Sequence, residues 1–184
     1  MSLKKTRFIT GLSLLLMVAS LAFATPTARP DDNNQPLELP SPLCDKLQVP
    51  AGNELAFHLY ARGVQIYRWS GSTWQFVAPS ATLFADPGYH AQVGIHYKGP
   101  IWESNSDSSV KAVKLWECSP DPDAIPWLLL QANATSGPGV FSSVTFVHRV
   151  YTTGGKAPSY NGSTDGESVE VNYTAVYYFY RAED

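Results

Sequence analysis

Val169-Glu170-Val171-Asn172-Tyr173-Thr174-Ala175-Val176-Tyr177-Tyr178-Phe179-Tyr180 is the stretch that decides the fold class. Side chains of an extended strand alternate between two faces. One face of this run reads Val169, Val171, Tyr173, Ala175, Tyr177 and Phe179. The other starts with Glu170, Asn172 and Thr174 and continues with Val176, Tyr178 and Tyr180. β-Branched and aromatic residues of this kind suit a pleated surface, and the period is two throughout. Both faces carry bulky groups, so the strand is expected to lie centrally or to be covered on both sides.

Working back from this strand, the same period recurs between turn signals. Val144, Phe146, His148 and Val150 share a face within 141–151, and Gly154-Gly155 opens the loop that follows. Ser136-Gly137-Pro138-Gly139 precedes that strand. Ile125-Pro126-Trp127-Leu128-Leu129-Leu130 is a continuous apolar run, short and flanked by breakers, and reads as a buried strand. Val110 to Glu117 is another, set between the polar loops 104–109 and 119–123. Val93, Ile95 and Tyr97 are expected to supply an apolar face that ends at Gly99-Pro100. Asp86-Pro87-Gly88 is a turn in which proline presets φ and glycine tolerates φ > 0. Trp74 and Phe76 share a face after a Ser70-Gly71-Ser72 connection. Leu55, Phe57 and Leu59 form the first apolar face, Arg62-Gly63 is expected to break it, and Val64 to Trp69 to start a new strand. The prediction is an all-β domain, a single antiparallel β-sandwich or β-barrel of about eight or nine strands, with the choice between the two open.

The first residues have a different character. Lys4, Lys5 and Arg7 precede an apolar stretch from Phe8 to Ala19, and Ala22-Phe23-Ala24 supplies a small-x-small cleavage pattern. This is a signal peptide over 1–24; the apolar core is shorter than the roughly 20 residues that span a bilayer and carries Thr10, Gly11 and Ser13. Residues 25–43, rich in proline, read as a flexible linker, and 44–184 as the folded domain. Removing 1–24 takes three of the 13 basic residues and none of the 16 acidic ones, leaving a formal charge of −6. That balance excludes a nucleic-acid partner, and no membrane association is expected once the leader is gone. The two cysteines, Cys44 and Cys118, would meet oxidising conditions outside the cytoplasm, so they are expected to pair.

Several stretches carry a family resemblance. These are Ala61-Arg62-Gly63-Val64-Gln65-Ile66-Tyr67, Pro79-Ser80-Ala81-Thr82-Leu83 and Gly94-Ile95-His96-Tyr97-Lys98-Gly99-Pro100-Ile101-Trp102-Glu103. To them are added Ile125 to Leu130, Thr153-Gly154-Gly155-Lys156-Ala157-Pro158 and the aromatic ending Tyr173 to Tyr180. Over roughly 44–182 the chain resembles the secreted proteins grouped as domain of unknown function 3455. The resemblance implies export and a β-rich domain, and brings no catalytic residues. Many relatives have cysteines after the Gln-x-Tyr segment and after the Gly-Gly-x-Ala-Pro loop. Here Arg68-Trp69 and Ser159-Tyr160-Asn161 stand in those places, so Cys44 and Cys118 would do that stapling by another route. Some fungal relatives carry a malate dehydrogenase label, but no Gly-x-Gly-x-x-Gly follows a strand in this chain.

The candidate functional residues are His96, Trp102, Glu103 and Arg149. The first three, together with Lys98, flank the Gly99-Pro100 turn, where a tryptophan beside a carboxylate can hold a sugar ring by stacking and hydrogen bonding. Arg149 sits mid-strand among valines, and if buried it is expected to pair with Glu170 or Glu54. His58, His90, His96 and His148 lack the spacing that brings two ligands to one metal, and no cofactor motif is present, so neither metal nor cofactor is expected. No Gly-x-Ser-x-Gly elbow occurs. Asn133-Ala134-Thr135, Asn161-Gly162-Ser163 and Asn172-Tyr173-Thr174 match the glycosylation sequon, which matters only in a eukaryotic host. The expected activity is non-catalytic binding of an extracellular ligand by a secreted protein, extracellular or periplasmic, the ligand being a carbohydrate, a cell-wall component or a small apolar molecule. The alternatives are a hydrolase with a carboxylate or metal site, built on His96, Glu103 and Arg149, and a structural protein without a pocket. A binder of the barrel type needs an interior cavity.

Overall fold

The chain forms eight strands in the computed structural model, which describes residues 37–184. They are β1 (Asn53–Trp69), β2 (Trp74–Phe84), β3 (Gln92–Tyr97), β4 (Ile101–Ser104), β5 (Ser109–Cys118), β6 (Trp127–Ser136), β7 (Val144–Gly154) and β8 (Ser168–Ala182). Each pairs antiparallel with the next, and β8 pairs back onto β1 from Asn53↔Ala182 to Arg68↔Ser168. The sheet is a closed up-and-down barrel. Closure settles the open choice: the fold is a barrel, and its strands have no free edge. The expected signal peptide (1–24) and residues 25–36 of the expected linker lie outside the described residues.

Alternation sorts the two faces. Ala61, Leu83, Trp102, Val110, Leu130, Val147, Tyr173, Tyr177 and Phe179 meet in the interior. On the outside, Tyr60, Val176, Tyr178, Phe146, Val150, Leu129 and Trp127 would face solvent, but the segment preceding β1 covers them. Leu37 and Leu39 lie half-buried there, and Leu47, in a 3-10 turn at Asp45–Leu47, is fully buried. Packing therefore starts before Cys44, within the stretch expected to be linker. Cys44 bonds Cys118 at the end of β5, which ties this strap to the barrel wall. The strap also receives a hydrogen bond: His148 Nε2 donates to the Leu47 carbonyl at 2.6 Å. Thus β8 is covered on both sides, as its two bulky faces require.

Two local expectations are corrected. Arg62-Gly63 does not interrupt β1, which runs unbroken across it. A Cβ on Gly63 would stand 2.2 Å from the Ser80 carbonyl oxygen, so the glycine serves close approach of β2 rather than a turn. In β3 the buried residues are Gly94 and His96; of the apolar trio Val93 packs half-buried against the core and Ile95 is exposed. Hydrophobicity misled there because the interior position is held by a polar ring.

Candidate functional site

The β2–β3, β4–β5 and β6–β7 connections lie at one end of the barrel, together with the start of β1 and the end of β8. That end is plugged by aromatic rings. Phe57 stacks on Phe179 with centroids 4.8 Å apart, and Phe141, from the β6–β7 connection, meets both at 5.7 and 5.0 Å. Above the plug, Trp102 stands edge-on to Phe179 and 5.2 Å from Tyr177. His96 stacks flat on Trp102 at 4.4 Å, fixed by β3–β4 register, which places the two residues opposite each other. Three rings thus make a floor.

Beyond the floor the barrel is not filled. A cavity of about 670 Å³ opens towards the β1–β2, β3–β4 and β5–β6 connections. Its apolar wall includes Phe76, Val77, Pro79, Ile125, Pro126 and Leu128. Phe76 and Val77 are exposed at the mouth although both lie on a strand, the Phe76 ring meeting Tyr67 edge-on with centroids 5.7 Å apart.

The charged groups in this wall are mostly cationic. Arg149, Lys98 and Lys114 carry the positive charge, and Glu117, already paired to Lys114 at 2.7 Å, is the single lining carboxylate. The expected partnership of Arg149 with Glu170 or Glu54 is corrected. Glu54 binds Arg181 at 2.6 Å, and no carboxylate among the described residues lies within 4.0 Å of Arg149. Instead Nε and Nη2 of Arg149 both donate to the Pro126 carbonyl, at 3.2 and 2.8 Å. A neutral acceptor fixes the side chain and leaves its charge unneutralised.

The guanidinium acts on its neighbours. His96 is held down to about 3, chiefly by burial; the hydrogen bond to the Ile101 carbonyl works the other way, and the Arg149 charge adds to the lowering. His96 is therefore neutral at pH 7. Because a carbonyl only accepts, the proton sits on Nδ1, which donates to Ile101 at 2.8 Å. Burial raises Tyr177 above the ordinary phenol value, and Arg149 partly offsets it. Two wall residues hold buried donors that meet no acceptor at hydrogen-bonding distance, Trp102 Nε1 and Gln65 Nε2, the Gln65 amide lying beside the Tyr173 hydroxyl. Gln65 is only 2% exposed and Trp102 1%.

Of the four residues singled out from sequence, His96, Trp102 and Arg149 line this one cavity. Glu103 does not. It alternates with Trp102, points to the outer surface and accepts a hydrogen bond from Tyr97 Oη at 2.6 Å, which raises the Tyr97 hydroxyl. The trio of His96, Glu103 and Arg149 required by a carboxylate-based hydrolase is therefore not assembled. Among the described residues, no group of three or more His, Cys, Asp or Glu is placed to hold a metal ion. Lys98, which flanks the same turn as His96 and Trp102, lines the cavity as well, while Gln65 and Tyr177 join it from strands not marked as functional. For Gln65 and Tyr177 the usable signal was parity: Ala61, Gly63 and Gln65, like Tyr173, Ala175 and Tyr177, share an inward face.

A family model described as "Protein of unknown function (DUF3455)" matches residues 50–181. The chain belongs to this family. The match runs from just before β1 to the penultimate residue of β8, so the DUF3455 unit is the barrel itself and the whole cavity wall falls within it. Cys44 and most of the strap lie before the matched stretch, whereas Cys118 is inside it. No curated protein and no solved structure matches this DUF3455 chain significantly.

Proposed function

We propose that the protein is an exported, non-catalytic binding protein that takes a small, mostly apolar ligand into the interior of its barrel. The observation carrying this reading is the cavity of about 670 Å³, open at one end of a barrel whose other end is packed solid. Pockets of this size, largely apolar with a few placed polar groups, suit small molecules. A sugar is disfavoured, because its ring of hydroxyls would lie unpaired against Phe76, Val77, Pro79, Ile125, Pro126 and Leu128. Glycoside hydrolysis needs two carboxylates facing each other across a cleft, and Glu117 stands alone in this wall. Export is supported by the leader-like start of the sequence and by the Cys44–Cys118 disulfide.

The test is a thermal-shift screen of residues 25–184 against small apolar and amphipathic compounds, run beside Leu128→Trp, which fills the cavity from its wall. A ligand of the native state at about 100 times its Kd stabilises by about 2.7 kcal/mol. The expected result is a raised melting temperature in the parent protein that Leu128→Trp abolishes while still melting cooperatively. No shift across the panel, or shifts that Leu128→Trp leaves intact, would refute the interior site.

A further inference from the structure

We infer that the ligand carries one carboxylate, bound head-first beside Arg149, with its apolar body running out through the mouth. This rests on the interior being the binding site and adds what that reading leaves open, the chemistry and direction of the ligand. Charge comes first. The chain as a whole is acidic, with formal charge −3, yet the cavity wall holds three cations and one carboxylate. Lys114 and Glu117 cancel as a pair at 2.7 Å, which leaves Lys98 beside the β3–β4 turn and Arg149 within.

Arg149 is the unusual one. A buried charge is costly unless it is paired, and a buried ion pair is usually completed within the protein. This guanidinium is half-buried, anchored by two N–H groups on one neutral carbonyl, and has no anionic partner among the described residues. Its remaining N–H groups, which also face the Tyr177 hydroxyl, form part of a planar fork that matches a carboxylate in shape and charge. Arg149, the fixed charge within, is neutralised by a monoanion; the second charge of a dianionic head would have only Lys98, out at the β3–β4 turn, to meet it.

The orphan donors point the same way. Trp102 Nε1 and Gln65 Nε2 belong to the wall, are almost wholly buried and lack acceptors. Arg149, Trp102 and Gln65 offer uncommitted donors, against the one free acceptor that neutral His96 leaves at Nε2. A group rich in acceptor oxygens complements that set, whereas an amine or an amide NH does not. His96, neutral and stacked on Trp102, props the indole and adds no competing positive charge.

The buried donors set direction, the mouth carrying Lys98 beside its apolar groups. Trp102, with its unsatisfied N–H, forms the floor, and the exposed Phe76 and Val77 stand at the mouth. A head group placed deep leaves its apolar tail against those two residues and Leu128. The reverse pose would strand the tail on the donors.

Octanoate and octan-1-ol, equal in chain and different in head, decide the question by isothermal titration calorimetry at pH 7. Both are titrated into the wild type, Arg149→Met and Leu128→Trp. The expected result is that octanoate binds the wild type at least about tenfold tighter than octan-1-ol. Arg149→Met should erase that preference and keep octan-1-ol binding, which also reports that the variant is folded. Leu128→Trp should lose both ligands. Equal affinity for acid and alcohol, or a preference that survives Arg149→Met, would overturn the carboxylate inference and leave the interior site standing. Absence of binding by both compounds to the wild type would overturn the interior site along with it.

Discussion

Lowering the pH from 7 to 5 should cost this barrel a large part of its stability, because two histidines are folded into it as neutral rings. His96 is 3% exposed and His148 2%. Burial is the main cause of both depressions, to about 3 for His96 and about 4 for His148. In the unfolded chain each titrates near 6.5. The sign follows from where the proton binds. Below about 6.5 the unfolded chain takes up a proton at each site and the native state does not, so stability present above that pH is lost on acidification, progressively, until the folded values are reached. At pH 5 the gap is about 1.5 units per ring, worth about 2 kcal/mol each and about 4 kcal/mol together. For a domain of this size that corresponds to a fall in melting temperature on the order of 10 °C. His58, lowered by burial as well, contributes in the same direction. Asp86 is held low, first by the Ala91 backbone N–H, and loses its contribution only below the carboxylate range, outside this window. Urea unfolding followed by circular dichroism at pH 7, 6 and 5 measures the effect, and His148→Gln should remove about half of the slope. Stability constant to within about 1 kcal/mol over this interval would refute the reasoning, since it would mean that protonation of the folded rings carries no penalty.

Two further perturbations address other parts of the molecule. The Cys44–Cys118 bridge spans a sequence separation of 74 and holds the strap against β5, so replacing both cysteines by serine should destabilise by up to about 4–5 kcal/mol, read as a lower urea midpoint with an unchanged signal for strand content. Gln65→Met keeps the volume of a buried side chain and removes an amide whose Nε2 has no partner; urea denaturation should show stability unchanged or raised by about 1 kcal/mol, and a loss larger than that would mean the amide holds the wall together.

The period-two patterns made the all-β class legible, and both bulky faces of β8 announced that neither faces water. Closure was not legible. Strand periodicity says which residues share a face but not whether the first strand meets the last, and the Asn53↔Ala182 to Arg68↔Ser168 register depends on contacts 100 or more residues apart in sequence. The inside was also hard to tell from the outside. The strap makes the outer face of β1, β6, β7 and β8 apolar, so hydrophobicity marks both sides of those strands. On β3 the ranking inverted: Val93, Ile95 and Tyr97 drew attention, while Gly94 and His96 hold the interior. Within the candidate site, His96 and Trp102 were recognisable as a cluster because the β3–β4 turn keeps them close in the chain. Glu103 shared that proximity and faces away, since the residue after an inward one on a strand points outward. The meeting of Arg149 with them depends on barrel closure and lay beyond local reading.

An eight-stranded barrel is just wide enough for side chains to fill it. This one fills the end near Phe57, Phe141 and Phe179 with close aromatic contacts, so the chain is able to build a dry core. Over the other half the inward positions go to Gln65, His96 and Arg149 where leucine or phenylalanine would close the space. Each choice works against stability. Gln65 and Trp102 bury donors without acceptors, His96 gives up protonation, and Arg149 holds a charge against a neutral carbonyl. A sequence whose turns, alternation and disulfide all favour one barrel gathers four departures from that consistency on a single wall. Local departures of this kind concentrate where a protein meets its ligand. Because they share one wall, they are more economically read as a single requirement, a bound group that supplies acceptors and negative charge, than as separate defects.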